Sequence, residues 1–198
     1  PPADRAVPKQ FALLAGKPMI AHSYDVMASH PGIDEVLVVI GAGQEAALAA
    51  ALGPVRFVFG GKTRRESVRN GLEVLSGADR VLVHDAARPF LPGNVIDALV
   101  AALDIYEGAL PALPVADTLA RGSDTLGENV PREGLMRVQA PQAFRVGALV
   151  NAHRAWPENA EATDDAQMVR ALGHDVAIVP GDPMLEKNTH PADFAAAE

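Results

Sequence analysis

A doubly wound α/β fold with a mostly parallel sheet and helices on both faces is what the sequence predicts, and three features predict it. Short apolar or β-branched runs bounded by Gly, Pro and Asp recur along the chain and read as strands buried on both faces. Segments of helical period lie between them, joined by short connections. The chain has 198 residues, 48% of them hydrophobic and 21% charged, the profile of one domain over residues 1–198. A chain of this length buries roughly 70% of its unfolded surface without help from disulfides or structural zinc.

In order along the chain, a helix is expected over Pro18–Ser29, with proline in its first turn, then a strand over Glu35–Ile40. A helix over Gln44–Leu52 stops before Gly53-Pro54, and a strand over Val55–Phe59 leads to a helix over Arg64–Leu75. The strand Arg80–His84, the helix Gly93–Tyr106 and the strand Ala109–Val115 follow. The helices Val146–Trp156 and Asp164–Leu172, the latter ended by Gly173, precede a last strand over Asp175–Val179. Residues 115–144 break this rhythm, because Gly122, Gly127, Pro131, Gly134 and Pro141 interrupt any helical period. A structureless loop of that length does not suit a compact domain, so an arm of irregular or hairpin structure is expected there, packed on another subunit.

Composition excludes several classes of function. With a net charge of −8, the field of the whole chain opposes binding to a phosphate backbone, so no nucleic acid is expected as partner. Apolar runs such as Val36–Ile40 fall far short of the ~20 residues a membrane span needs, and no signal peptide opens the chain. The absence of cysteine rules out thiolate chemistry and suggests a reducing compartment, the cytoplasm. Pro1-Pro2 without an initiator Met suggests that the chain begins inside its gene product.

Four motifs stand out. Gly41-Ala-Gly43 follows a strand and opens a helix, as a dinucleotide fingerprint does, but Phe59-Gly60-Gly61-Lys62 ends the next strand without the carboxylate that would hold a ribose. Gly60 to Ser67 places two glycines, three cations and a hydroxyl between a strand and a helix, where backbone N–H groups favour an anion; a solvated basic helix start is the alternative. His84-Asp85-Ala86-Ala87-Arg88-Pro89 sets a carboxylate at the end of a strand, in a position to meet a magnesium nucleotide or a phosphorylated substrate. Read blandly, Asp85 is a turn cap paired with Arg88, and His84 is a hydrogen-bonded core histidine. Lys9, Arg132 and Lys187 are isolated cations, each on its own more typical of solvated surface.

Taken together, Pro8-Lys9-Gln10-Phe11, Gly60-Gly61, Arg64, Ser67, His84 to Pro89, Asp117-Thr118, Arg132, Gln139-Ala-Pro-Gln142, Thr163-Asp164 and Lys187-Asn-Thr189 fall in the order and spacing of the methylerythritol phosphate cytidylyltransferases, and the chain resembles that family over essentially its whole length. The resemblance implies a Rossmann-like nucleotidyltransferase. It would transfer CMP from CTP to methylerythritol 4-phosphate with magnesium and release pyrophosphate, working as a homodimer through the 115–144 arm. By resemblance, Lys9 stabilises the transition state, while Arg132, offered across the dimer, and Lys187 position the sugar phosphate. Gly60, Gly61 and Ser67 match nucleotide-binding positions, and Asp85 matches a ligand of substrate hydroxyls or of the metal region. Arg88, Thr118 and Thr189 match further substrate contacts.

Departures from the family pattern are equally specific. The family opens with a strand and a glycine-rich loop carrying a second transition-state arginine, upstream of the point where this sequence starts, and Arg5 does not match it. Ala140 stands where a threonine is usual, and Met184-Leu-Glu-Lys187 replaces Asp-Asn-Ile-Lys. Three rivals remain at this level: a ribitol 5-phosphate cytidylyltransferase, a dinucleotide-dependent oxidoreductase resting on Gly41-Ala-Gly43, and a non-catalytic dimeric interaction protein.

Overall fold

In the computed structural model, residues 8–187 are described. A 3₁₀ turn over Lys9–Phe11 leads to a short antiparallel pair, β1 (Leu13–Leu14) and β2 (Lys17–Pro18), and then to helix α1 (Met19–Ser29). Strand β3 (Val38–Ile40), helix α2 (Glu45–Leu52), strand β4 (Phe57–Phe59), helix α3 (Arg64–Val74), strand β5 (Arg80–Val83), helix α4 (Gly93–Ala102) and strand β6 (Gly108–Pro114) follow. Next come the hairpin strands β7 (Leu119–Gly122) and β8 (Leu126–Val130), then β9 (Met136–Val138) and β10 (Gln142–Arg145). Helices α5 (Val146–Ala155) and α6 (Asp165–Ala171), strand β11 (Val176–Pro180) and a 3₁₀ turn over Pro183–Leu185 complete it.

The main sheet has the order β11-β6-β10-β5, with β9 paired to β6. β11 runs parallel to β6, and β10 is inserted antiparallel between β6 and β5, so β5, β6 and β11 share one direction. β3 and β4 form a parallel pair of their own. Period two divides the core into layers. Ala109 of β6, Ala143 of β10 and Val179 of β11 face α4 with Val95, Ile96, Leu99 and Leu185. Their neighbours Leu110 and Phe144 point the other way, into a layer made by α3, α5 and α6 with Leu72, Leu149, Met168 and Val169. Each fully buried side chain of this kind contributes about 1.5–3 kcal/mol. A third cluster packs Phe11, Ile20 and Leu48 against Val38 and Ile40.

Helix starts follow local chemistry. Thr63 Oγ1 accepts from Glu66 N at 3.1 Å to cap α3, and Asp164 accepts from Gln167 N at 2.8 Å to cap α6. Each expected helix forms within a few residues of its sequence boundaries, except that Gly93–Tyr106 ends at Ala102, where the chain turns to reach β6.

Two expectations are corrected. β4 and β11 are not buried on both faces: Phe57 and Phe59 remain 40% and 44% exposed, packed edge to face on each other at the free edge of a two-stranded ladder, and Ile178 is 59% exposed because β11 forms an edge of the main sheet. Nor does irregular structure run to 144. The hairpin occupies Leu119–Val130, whereas β9 and the buried β10 belong to the main sheet, β10 being recruited by hydrogen bonding to strands on both sides. Among the described residues no helix is long and apolar enough to cross a membrane.

Candidate active site

The C-terminal ends of β3 and β5 face one cleft of about 330 Å³, lined by Lys9, Gln10, Ile40, His84, Asp85 and Lys187 among others. Asp85 is its electrostatic centre. Its Oδ1 lies 3.8 Å from Arg64 Nε, and its Oδ2 lies 3.3 Å from Lys187 Nζ and 3.9 Å from Arg88 Nε. Burial by itself raises the Asp85 carboxyl, but Lys187, Arg64 and Arg88 outweigh it and hold the group below its usual range. One carboxylate ringed by three cations is an arrangement for phosphates more than for proton transfer.

His84 supports this reading. Its Nε2–H donates to Arg88 O at 2.9 Å, which fixes the tautomer, and its Nδ1 is buried without a partner. Burial pushes the imidazole down to about 4, so it is neutral at pH 7 and its one proton is committed to the turn. The unfolded imidazole, near 6.5, takes up a proton in the window down to about 4 that the folded one refuses, so stability falls as pH falls through that window. The loss amounts to about 3 kcal/mol. Denaturant midpoints at pH 7 and pH 4.5 should therefore converge in His84→Gln relative to the parent; parallel shifts in the two proteins would contradict a buried neutral histidine.

Arg88 acts largely within the fold: its Nη1 donates to the carbonyl of Leu185, tying the turn after β5 to the segment that ends in Lys187. In the Gly60–Ser67 loop, a Cβ at Gly61 would overlap the Glu66 side chain, so glycine is required by close approach of the loop to α3. Gly61 N donates to Ser67 Oγ at 3.1 Å, Ser67 Oγ donates to Thr63 O at 2.9 Å, and Lys62 N donates to the Glu66 carboxylate at 2.5 Å. Donors that the sequence offered to an anion are thus taken by the loop's own Ser67 and Glu66. At Gly41, the N–H is likewise taken, by Gln44 Oε1 at 3.1 Å.

Thr118 and Arg132 do not line the cleft. Thr118 precedes β7, and Arg132 sits in the turn between β8 and β9, donating to the carbonyl of Ala116. Thr189 and Arg5 lie outside the described residues. Among the described residues no group of three or more His, Asp or Glu side chains could hold a metal ion by itself.

One part of the site escaped sequence reasoning. Arg64 reaches past Asp85 to Asp165, its Nη1 lying 2.7 Å from the carboxylate, and Asp165 also accepts from His153 Nε2 at 2.8 Å. Asp165 is fully buried at the start of α6. Burial raises its carboxyl, yet the bonds from His153 and Arg64 prevail and hold it low. Its sequence signal was an acidic pair, Asp164-Asp165, at a helix start, where one carboxylate suffices as a cap.

A family model described as 2-C-methyl-D-erythritol 4-phosphate cytidylyltransferase matches residues 3–198. The chain is 58% identical over 195 residues to the bifunctional enzyme IspD/IspF of Rhizorhabdus wittichii, covering 97% of this chain and 51% of that one. It is 48% identical over 193 residues to the 2-C-methyl-D-erythritol 4-phosphate cytidylyltransferase of Deinococcus radiodurans, covering 96% and 81%. The crystal structure of the 2-C-methyl-D-erythritol 4-phosphate cytidylyltransferase from Thermus thermophilus superposes with a TM-score of 0.86 at 38% identity, covering 96% of this chain and 92% of that one. The chain spans about half the length of the bifunctional relatives it matches.

Proposed function

The chain belongs to the 2-C-methyl-D-erythritol 4-phosphate cytidylyltransferase family, and from that premise we propose that it transfers CMP from CTP to methylerythritol 4-phosphate in non-mevalonate isoprenoid precursor synthesis. The observation that carries the reading is the cleft in which Lys9, Asp85 and Lys187 converge. An oxygen of the sugar phosphate attacks the α-phosphorus of CTP, the bond to the β-phosphate breaks, and pyrophosphate leaves. A phosphate monoester has its second pKa at about 6, so the nucleophile is already an anion at neutral pH and needs no general base. A neutral His84 whose proton is committed to Arg88 fits that chemistry.

In this reading Lys9 meets the charge that grows on the α-phosphate, and Lys187 and Arg132 orient the sugar phosphate. Gly60, Gly61 and Ser67 hold the nucleotide once Ser67 Oγ exchanges its bond from Gly61 N for one to the ligand, Arg64, which opens α3 in the same segment, stands on that nucleotide side of Asp85, and Arg88, Thr118 and Thr189 add substrate contacts. A single carboxylate with substrate phosphates is a common way to hold Mg²⁺, so Asp85 suits that role, and the ion would neutralise charge on the triphosphate. Because Arg132 stands on the arm and away from the cleft, we assign it to the site of a second subunit in a homodimer formed through the hairpin. A chain without cysteine suits the reducing cytoplasm.

Pyrophosphate release from CTP, with Mg²⁺ and with methylerythritol 4-phosphate or ribitol 5-phosphate in parallel, tests the proposal. Release with methylerythritol 4-phosphate alone is expected. Release with ribitol 5-phosphate alone transfers the assignment to that polyol, and silence with both, in protein that dimerises normally, favours a non-catalytic role.

A further inference from the structure

Two glutamines flank the Ala140-Pro141 pair, and both are buried. Gln139 precedes it, in the approach to β10. Its Oε1 accepts from Asp182 N at 3.0 Å and its Nε2 donates to Asp182 O at 2.9 Å, so one side-chain amide satisfies both backbone groups of one residue. Its own N–H donates to Pro111 O at 2.9 Å, and Gly181 N donates to Ala112 O at 3.0 Å, which anchors this clamp to β6. A Cβ at Gly181 would collide with the Gln139 amide and the Ala112 carbonyl, so the approach is possible only with glycine there. Beyond the clamp the chain has little freedom. Asp182 Oδ1 caps the turn by accepting from Met184 N at 2.8 Å, Leu185 is fully buried and holds Arg88 by its carbonyl, and Lys187 then faces Asp85.

Gln142, the first residue of β10, makes the matching clamp on the other side. Its Nε2 donates to Asp164 Oδ2 at 3.0 Å and its Oε1 accepts from Ala166 N at 3.2 Å. These contacts hold the residues before and after Asp165, the partner of Arg64.

We propose that Gln139 and Gln142 are positioning residues for the two cations that approach Asp85 from different elements: Gln139 sets Lys187 through Asp182, and Gln142 sets Arg64 through the Asp164 side chain and the Ala166 backbone on either side of Asp165. A single short motif thereby fixes the spacing between the polyol-phosphate side of the cleft and its nucleotide side. The assignment of those two sides rests on the function proposed above; the clamps themselves do not.

Two readouts in the full chain test this. In hydrogen exchange, Gln139→Leu should speed exchange at the Asp182 amide about ten-fold or more and leave Ala166 unchanged, and Gln142→Leu should do the reverse. In steady-state kinetics with CTP and methylerythritol 4-phosphate, Gln139→Leu should raise KM for the sugar phosphate about ten-fold with KM for CTP within about two-fold, and Gln142→Leu should show the opposite split. Gln139→Glu, which keeps the acceptor for Asp182 N and loses the donor, should fall between parent and Gln139→Leu in both readouts and serves where leucine impairs folding. Exchange that rises uniformly, or stays at parent rates at both amides, overturns the clamps. Equal effects on both KM values overturn the division of labour. A parent protein silent with these substrates overturns the functional reading, while exchange still decides the clamps.

Discussion

Lys9→Ala should lower kcat about 10²–10³-fold while leaving the unfolding midpoint where it is. The two halves of this expectation have separate origins. Lys9 opens a 3₁₀ turn whose fold contribution comes from the buried Phe11, not from the lysine, which is exposed. Replacing it therefore removes no packing. Lys9 nonetheless lines the cleft with Asp85 and Lys187, so in the proposed reaction its ammonium is a positive charge held beside the α-phosphate before charge develops there. A donor placed in advance acts mainly on the transition state, which is why kcat should fall further than KM rises. Retention of full turnover by Lys9→Ala would remove this residue from the mechanism.

The same variant tests the proposed homodimer, and whether its arm crosses between subunits. When Lys9→Ala and Arg132→Ala chains are mixed and allowed to exchange, each mixed dimer contains one site built from an intact Lys9 and an intact Arg132. Random pairing makes half of the dimers mixed, so activity should recover to about a quarter of the parent level if Arg132 serves its neighbour. Verified mixed dimers without recovery would assign Arg132 to its own subunit.

Much of the frame was legible in the sequence because short apolar runs bounded by turn residues mark a strand without requiring full burial, as Arg80–Val83 and Val176–Pro180 do at the two edges of the main sheet, where Ile178 is 59% exposed. β10 was not. Pro141 precedes it directly, the run Gln142–Arg145 opens on a glutamine and ends on an arginine, and nothing local signals that Phe144 is fully buried. Strand identity there comes from two neighbours far away in sequence, which no local pattern contains. The site shows the same division. Asp85 and Lys187 could be singled out as motif members, and they do meet. Of the residues that hold them, Gln139 and Gln142 stood out only as motif members with no role attached, and Asp165 and His153 did not stand out at all, because all four act through burial and pairing, and a buried Asp165 reads in the sequence like any acidic residue of a first helical turn.

Asp165→Ala should be the most destabilising polar substitution among the described residues, costing about 2–4 kcal/mol. The carboxylate is fully buried and accepts from both His153 and Arg64. Its removal strands the His153 ring, whose Nδ1 already lacks a partner, so neither nitrogen of this buried imidazole would be satisfied. Arg64 limits the damage, since its side chain is 42% exposed and can turn toward solvent, which keeps the loss below that for a wholly buried pair. Asp165→Asn separates the two roles. It retains size and an acceptor for His153 but sets an N–H against the Arg64 guanidinium, so most of the stability should remain while Arg64 leaves Asp85 and nucleotide binding weakens. The sign of the pH effect follows from the lowered carboxyl: stability from Asp165 is complete above the unfolded value of 3.8 and is lost as pH falls toward the lower folded value. Denaturation at pH 7 and at pH 3 should therefore show a steeper acid loss in the parent than in Asp165→Asn. Equal acid losses would mean that the carboxylate is not held by these partners, and the link from His153 to the cleft would fail with it.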